Sequence, residues 1–370
     1  MTGNNLKYDT VIDHVIRGIR LGIYPDRSKI PSEKDLAENI KVSVTTVREG
    51  LKQLCERNII IKQQGRRSVV NAAAVREQKR NLHLGWIGRS AFEQMNPVYY
   101  ETYTRVLNHL FGVNCHLSFL PFRMERDEEN ILRMFDSFDG FLLAGIRTQS
   151  ISRELSDRLQ TLRNVIEIDD IGASSAAYTI CTDGYQGGVM MADYLVEQNR
   201  RCPVIFLSEY SDSYPAFSKR TRGIIEGLSA RRQPFVLSPC SDHAVNSGEF
   251  ANQVAELLKK YPEIDTVWHP HDNVAIAIRN VFETVAPRQP GYYRSCGVDG
   301  LPETVAKEPF HASIAHPFEE LARLCVETMM NFFADQSPEQ AVRKIAPNLI
   351  PWRAFPENGK PCVETHNISD

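Results

Sequence analysis

A chain of 370 residues exceeds one ordinary domain, and its 42% apolar and 24% charged content suits buried cores, which sets aside disordered and fibrous classes. The net charge of −3 is unevenly spread: residues 1–80 carry 16 Lys and Arg against 9 Asp and Glu, and the remainder carries 27 against 37. A basic amino-terminal end suits the phosphates of a nucleic acid, whereas the acidic remainder is a poor surface for one.

Tyr8 to Leu21 places Val11, Ile12, Val15, Ile16 and Ile19 on one helical face, and Gly22 to Asp26 ends that helix. Pro31-Ser32 opens a second helix, with Ser32 capping its first turn and Asp35 at the capping-box position. Leu36 and Ala37 give it a small apolar face. Lys41-Val42 forms a turn, and Ser43 caps a third helix whose Val47, Gly50, Leu51 and Leu54 face inward. Thr45, Thr46, Glu49 and Lys52 therefore face outward, toward a base edge or a phosphate. Ile59 to Lys62 and Ser68 to Val70 are β-prone and joined by Gln63 to Arg67, where Gly65 supplies turn geometry and two arginines suit a DNA groove or backbone. The pattern predicts a winged helix-turn-helix.

Asn71 to Arg80, with few large apolar residues, reads as a connector. The expected division is a DNA-binding domain over 1–70, a linker over 71–80 and an effector-binding and dimerisation domain over 81–370. From Leu82 the period changes. Strands are predicted at Leu82–Gly88, Val113–Leu120, Phe138–Ala144, Val165–Ile168, Cys202–Leu207, 234–238, 264–268 and 293–298. Helices alternate with them at Asn96–Phe111, Asp127–Phe135, Ile151–Leu162, Gly184–Gln198, 218–230, 247–260 and 273–285. Such alternation means an α/β fold with doubly wound parallel sheets, here as two lobes with a cleft, and ligands bind beyond the carboxyl ends of the strands.

The eight cysteines are scattered, with no CxxC pair and no Cys/His run at zinc spacing, so reduced and mostly buried thiols are expected. The polar start MTGNNLKYD does not read as a signal peptide, and no apolar run approaches the roughly 20 residues of a membrane span. A cytoplasmic location follows as an expectation. Gly85-Trp-Ile-Gly88 lacks a third glycine and a following Lys-Ser/Thr, and neither GxSxG nor HExxH occurs. His269 and His271 flank Pro270, where lone histidines read as structural or hydrogen-bonding groups rather than metal ligands. No catalytic residue, metal or cofactor is expected, and no enzyme. Arg220, Asp272 and Asp299 fall at predicted strand-to-helix junctions, with Tyr99, Tyr210, Tyr214, Phe217 and Trp268 nearby in sequence. Arg donors, Asp acceptors and aromatic faces together suit a polar small molecule such as a sugar.

Two resemblances sharpen these readings. Pro31-Ser32-Glu33, Leu36-Ala37, Val42-Ser43, Thr46-Val47-Arg48, Leu51, Leu54 and Gly65-Arg66 resemble the GntR-type winged helix. By that resemblance Lys34, Ser43, Thr45, Thr46, Arg48, Gln64, Gly65 and Arg66 contact a double-stranded operator. Val44 stands where the family usually has a base-reading arginine, and Arg67 where it often has glycine, so the operator is expected to differ from the family's common one. Leu82 to about Phe355 resembles the LacI/GalR-type effector domain, itself similar to periplasmic sugar-binding proteins. The matching pieces are Asn96-Pro97, Asp139-Gly140-Phe141, Ile168-Asp169, Asp183 with Gly187-Gly188, Arg220 to Gly223, His271 to Asn273, Gly297 to Asp299 and Ser313 to His316. That resemblance assigns ligand contacts to Arg220, Asp299, His271 and His316, and one to Asp169 or equally to Asp170. The family often has Asn at the place of His271 and a second acidic residue at that of Gly300.

The pairing resembles bacterial arabinose repressors, and it implies a homodimeric transcription regulator, most readily a repressor, answering to a small ligand. The alternative is a second domain that only dimerises or senses a non-sugar ligand such as a nucleoside.

Overall fold

The computed structural model describes residues 7–353 apart from 21, 64–66, 77–81, 90–94, 112, 123–124, 147–150, 163, 170–177, 213, 335 and 337–340. Helices α1 (Lys7–Arg20), α2 (Glu33–Ile40) and α3 (Val44–Glu56) precede two short strands, β1 (Ile60–Ile61) and β2 (Val69–Val70). The strands pair antiparallel, Ile60 opposite Val70. The predicted faces of the three helices close one core, in which Val11, Val15 and Ile16 bury against Leu36, Val47, Leu54 and Ile59. The capping box forms in full: Asp35 N–H donates to Ser32 Oγ at 3.2 Å, and Ser32 N–H to Asp35 Oδ2 at 3.1 Å. Left-handed backbone at Lys41 (φ 58°) ends α2, and Ser43 Oγ accepts the Thr46 N–H at 3.1 Å to start α3. A short helix, α4 (Ala72–Arg76), lies in the predicted linker.

Strand and helix then alternate through β3 (Leu82–Arg89), α5 (Pro97–Leu110), β4 (Cys115–Phe122), α6 (Glu125–Met134), β5 (Gly140–Ala144), α7 (Arg153–Thr161), β6 (Val165–Ile168) and β7 (Tyr178–Thr182). The run continues with α8 (Gly184–Glu197), β8 (Pro203–Ser208), α9 (Pro215–Ala230), β9 (Val236–Cys240), α10 (Gly248–Lys260), β10 (Thr266–Trp268), α11 (Asp272–Val285) and β11 (Arg294–Asp299). It finishes with α12 (Pro302–Lys307), β12 (His311–Ala315), α13 (Phe318–Phe333), β13 (Val342–Ile345) and β14 (Asn348–Ile350).

Two six-stranded sheets result, ordered β13-β7-β6-β5-β3-β4 and β14-β12-β11-β10-β8-β9. In the second, β8, β9, β10, β11 and β12 pair in parallel and β14 joins β12 antiparallel. Each parallel pair needs a crossover helix, which is the physical origin of the alternating period. Helices cover both faces: Ile205 buries with Met191, Leu195, Ile224 and Leu228, while Val204 and Phe206 bury with Phe250, Val254, Ile278 and Phe282. A strand covered on both faces is apolar throughout, and β5 (GFLLA) is buried at every position.

The chain divides into two compact units, residues 1–181 with 318–343, and 182–317 with 344–370. The alternation read from sequence stops at strand 293–298 and gives no hint that α13 rejoins the first unit. There α13 packs along α5, with Arg105 Nε 3.7 Å from Glu319. Six of the seven described cysteines are buried, and all seven are free thiols. Among the described residues no helix is long and apolar enough to cross a membrane.

Candidate functional site

Three parallel strands of the second unit end side by side. Register sets Trp268 of β10 beside Cys296 of β11, and Asp299 of β11 beside Ala315 of β12. His271, Asp299 and His316 therefore share one carboxyl edge, where sheets of this kind hold ligands. α9, which follows the neighbouring β8, brings Arg220 to the same edge. Its position is set by a close crossing with α8: a Cβ at Gly188 would lie 2.3 Å from the Arg220 carbonyl oxygen, and one at Gly223 2.2 Å from that of Tyr185. Only glycine admits that approach.

Four of the predicted ligand residues meet there. Arg220 Nη1 donates to the Pro270 carbonyl at 2.9 Å and lies 3.6 Å from Asp299 Oδ1. Its Nη2 donates to His316 Nε2 at 3.2 Å. His316 Nδ1 shares a 2.7 Å hydrogen bond with Thr182 Oγ1. His271 Nε2 is 3.4 Å from Asp299 Oδ2. Arg220 is 4% exposed and Asp299 3%. Burial pushes the Asp299 carboxyl up, but His271, His316 and Arg220 together outweigh it and hold the group below the usual carboxylate range. Asp299 Oδ2 and His271 Nδ1 are buried with no hydrogen-bond partner among the described residues. Unmet buried polar atoms are costly, and both belong to side chains at this edge.

The backbone at this edge is strained. Asp299 has φ 141° and Gly300 φ 65°, both in the region that favours glycine. A Cβ at Gly300 would stand 2.4 Å from the Ala315 Cα, so this chain has no room for the second acidic residue the resemblance suggested there. Asp272 faces away from any ligand: its Oδ2 accepts Gly300 N–H at 2.9 Å and Ser313 Oγ–H at 2.6 Å, and its Oδ1 lies 2.9 Å from His311 Nε2. His311 Nδ1 in turn hydrogen-bonds Ser295 Oγ at 2.9 Å. Ser295, His311 and Asp272 imitate a catalytic trio, yet all three are at most 1% exposed, so they brace the turn and can attack nothing. Neither this brace nor the Thr182 contact was foreseen from sequence, and no spacing rule would have found them.

A second inner cluster lies beside it. Cys240, Asp242 and His269 each bring one donor atom within 4.8 Å of the others. His269 Nδ1 accepts the His271 N–H at 3.2 Å, which leaves the proton on Nε2 to be donated to Asp242 Oδ1 at 3.2 Å. Asp242 Oδ2 accepts from Ser208 Oγ at 3.0 Å, and burial pushes the Cys240 thiol up to about 12. Asp242 and His269 are thereby accounted for by hydrogen bonds that hold the His269–His271 segment in place, with Cys240 a buried thiol beside them. Of the aromatic residues, Tyr214 and Phe217 have ring centroids 5.6 Å apart, and the Arg220 guanidinium lies over Phe217 at 5.5 Å. Tyr210 hydrogen-bonds His243. Trp268 sits in the core instead.

Asp169 is in the first unit, at the end of β6, in left-handed backbone (φ 71°) with its N–H donating to Ile180 O at 3.0 Å. Asp170 lies outside the described residues. On the winged helix, Lys34, Ser43, Thr45 and Arg48 are exposed and Thr46 is half-buried. Arg48 Nε donates to Glu33 Oε2 at 2.7 Å across the turn between α2 and α3. Gln64, Gly65 and Arg66 lie outside the described residues.

Residues 7–70 match the family model described as bacterial regulatory proteins of the gntR family. Comparison with curated proteins gives no match. Among solved structures, the chain is similar to a LacI-family transcriptional regulator from Arthrobacter sp. FB24 in complex with lactose, at 16% identity and a TM-score of 0.58, covering 73% of this chain and 98% of that one. A LacI-family regulator from Enterococcus faecium with bound ribose matches at 16% identity and a TM-score of 0.56, over 74% and 98% of the two chains. A periplasmic solute-binding protein of an ABC transporter from Actinobacillus succinogenes 130z with bound D-allose matches at 14% identity and 0.59, over 73% and 97%. A segment that matches the gntR family of bacterial regulatory proteins is thus followed by the fold shared by LacI-family regulators and periplasmic binding proteins.

Proposed function

We propose that this chain is a cytoplasmic repressor that binds a pseudo-palindromic operator as a homodimer, its operator affinity set by a sugar held by Arg220, Asp299, His271 and His316. The observation that carries the reading is the pair of buried atoms, Asp299 Oδ2 and His271 Nδ1, whose missing hydrogen bonds a sugar hydroxyl supplies. The Tyr214 and Phe217 rings offer apolar faces to sugar C–H groups. On the DNA side, α3 enters the major groove, with Lys34, Ser43, Thr45, Thr46 and Arg48 against bases and phosphates, and Gln64, Gly65 and Arg66 add further contacts to the operator. The ligand alters operator affinity only by its preference between DNA-competent and DNA-incompetent states, ordinarily about 1–3 kcal/mol. Two-fold operators call for two-fold proteins, and α5 exposes Tyr100, Leu107 and, at its cap, Phe111, which is 91% exposed.

A thermal-shift screen of the purified chain against pentoses, hexoses, 6-deoxy sugars, nucleosides and amino acids tests the ligand, since a guest that binds only the folded state raises the melting temperature by mass action. The expected result is a hit among the sugars that disappears in Arg220→Ala. A hit confined to nucleosides or amino acids overturns the sugar, and a sugar shift that survives Arg220→Ala overturns the site.

A further inference from the structure

The first turn of α3 exposes an aliphatic side chain beside hydroxyl-bearing ones. The N-terminal residues of a recognition helix are the ones that meet base edges. Here Ser43, Thr46 and Arg48 each make a hydrogen bond within the protein, while Thr45 is exposed. Ser43 Oγ accepts the Thr46 N–H at 3.1 Å and shares a 2.8 Å hydrogen bond with Thr46 Oγ1. Arg48 Nε is held by Glu33 at 2.7 Å. Between them Val44, the first residue of the helix, stands 36% exposed, while Val47 one turn on is wholly buried. Val44 is absent from the core of the winged helix that Val47 joins. Its isopropyl group is stiff at χ1 and so is presented in a fixed direction.

In the major groove the apolar feature of a base edge is the C5-methyl group of thymine. An aliphatic side chain at the leading end of the helix recovers its exposed surface by covering that methyl, and it gains nothing from the bare edge of a guanine or cytosine. We infer that Val44 is a specificity-determining residue that selects thymine, through its methyl group, at one symmetry-related position in each operator half-site. The inference rests on the operator-binding reading above.

The experiment begins with selection of bound duplexes from a randomised pool by the full-length chain, which defines the half-site. Each thymine of that operator is then replaced singly by deoxyuridine, which removes the methyl and leaves every hydrogen-bonding group. For the unaltered protein, one symmetry-related pair is expected to weaken binding by about fourfold per half-site, the worth of one buried methyl-sized group. Val44→Ala, which keeps only a Cβ to cover the methyl, is expected to shrink the deoxyuridine penalty at that position, and Val44→Arg to shift the preference there to guanine. An operator indifferent to the loss of every thymine methyl overturns the inference while leaving DNA binding intact. So does a deoxyuridine penalty that persists unchanged in Val44→Ala. Failure to select any duplex sinks the operator-binding reading itself, and Val44 with it.

Discussion

The Asp272 carboxylate accepts the Gly300 N–H at 2.9 Å, and through that bond a residue 28 positions earlier in the chain shapes the turn that presents Asp299. The same oxygen takes the Ser313 hydroxyl at 2.6 Å, so one buried group ties α11, β12 and the end of β11 together. The strained backbone at Asp299 (φ 141°) persists because this brace over-determines it.

Asp272→Ala is expected to orphan the Gly300 N–H and the Ser313 hydroxyl and to cost at least about 2 kcal/mol, read as a lower urea midpoint. Ligand response is expected to fall with it, because Asp299 loses its fixed direction. A variant as stable and as responsive as the parent would remove the brace from the account.

Asp299 gives stability a pH signature. Its folded carboxyl lies below the ordinary value of 3.8, with burial opposed and outweighed by His271, His316 and Arg220. A depressed carboxylate contributes in full above its unfolded value, and the contribution is lost as pH falls through the folded one. The stability gap between the parent and Asp299→Asn is therefore expected to be constant at neutral pH and to narrow below about 3.8. Urea denaturation at several acidic pH values measures it; a gap that widens on acidification has the wrong sign.

Arg48→Ala is expected to weaken operator binding and to lower the slope of log affinity against log salt by about 0.9 if one phosphate contact is lost. The ion pair to Glu33 is exposed on both sides, so its loss costs less than about 1 kcal/mol of stability. Melting curves and ligand affinity are expected to be nearly unchanged. Comparable loss of ligand and DNA binding would contradict separable modules.

Phe111→Glu tests the dimer. The side chain is almost wholly exposed, so the fold is expected to change by no more than about 0.5 kcal/mol. Sedimentation is expected to show the dimer dissociating at concentrations where the parent remains paired, with cooperative operator binding lost. A dimer unaffected by a charge at this position places the interface elsewhere.

Much of the molecule was legible from local pattern alone. Val11, Val15 and Ile16 on α1, the Ser32–Asp35 box and the Ser43 cap all act within one or two turns, and helical spacing together with capping chemistry announces them. The β-α alternation was legible for the same reason, since burial on both faces makes strands such as β5 uniformly apolar. Arg220, His271, Asp299 and His316 could be named from short motifs, although nothing in those motifs said that Arg220 would bond His316 or that Thr182 would orient it. Asp272 looked like a ligand group and is a brace, because which way a carboxylate points depends on the strands beside it and not on its neighbours in sequence. The return of α13 to the first unit was equally hidden: an amphipathic helix announces an apolar face but not the surface it will cover. The sequence by itself determined most of the elements as far as β11, their order, and the types of residue proposed to recognise DNA and ligand. Tertiary structure decided which strands lie in register and hence which of those residues share an edge, because parallel pairing joins positions dozens of residues apart that no local preference relates.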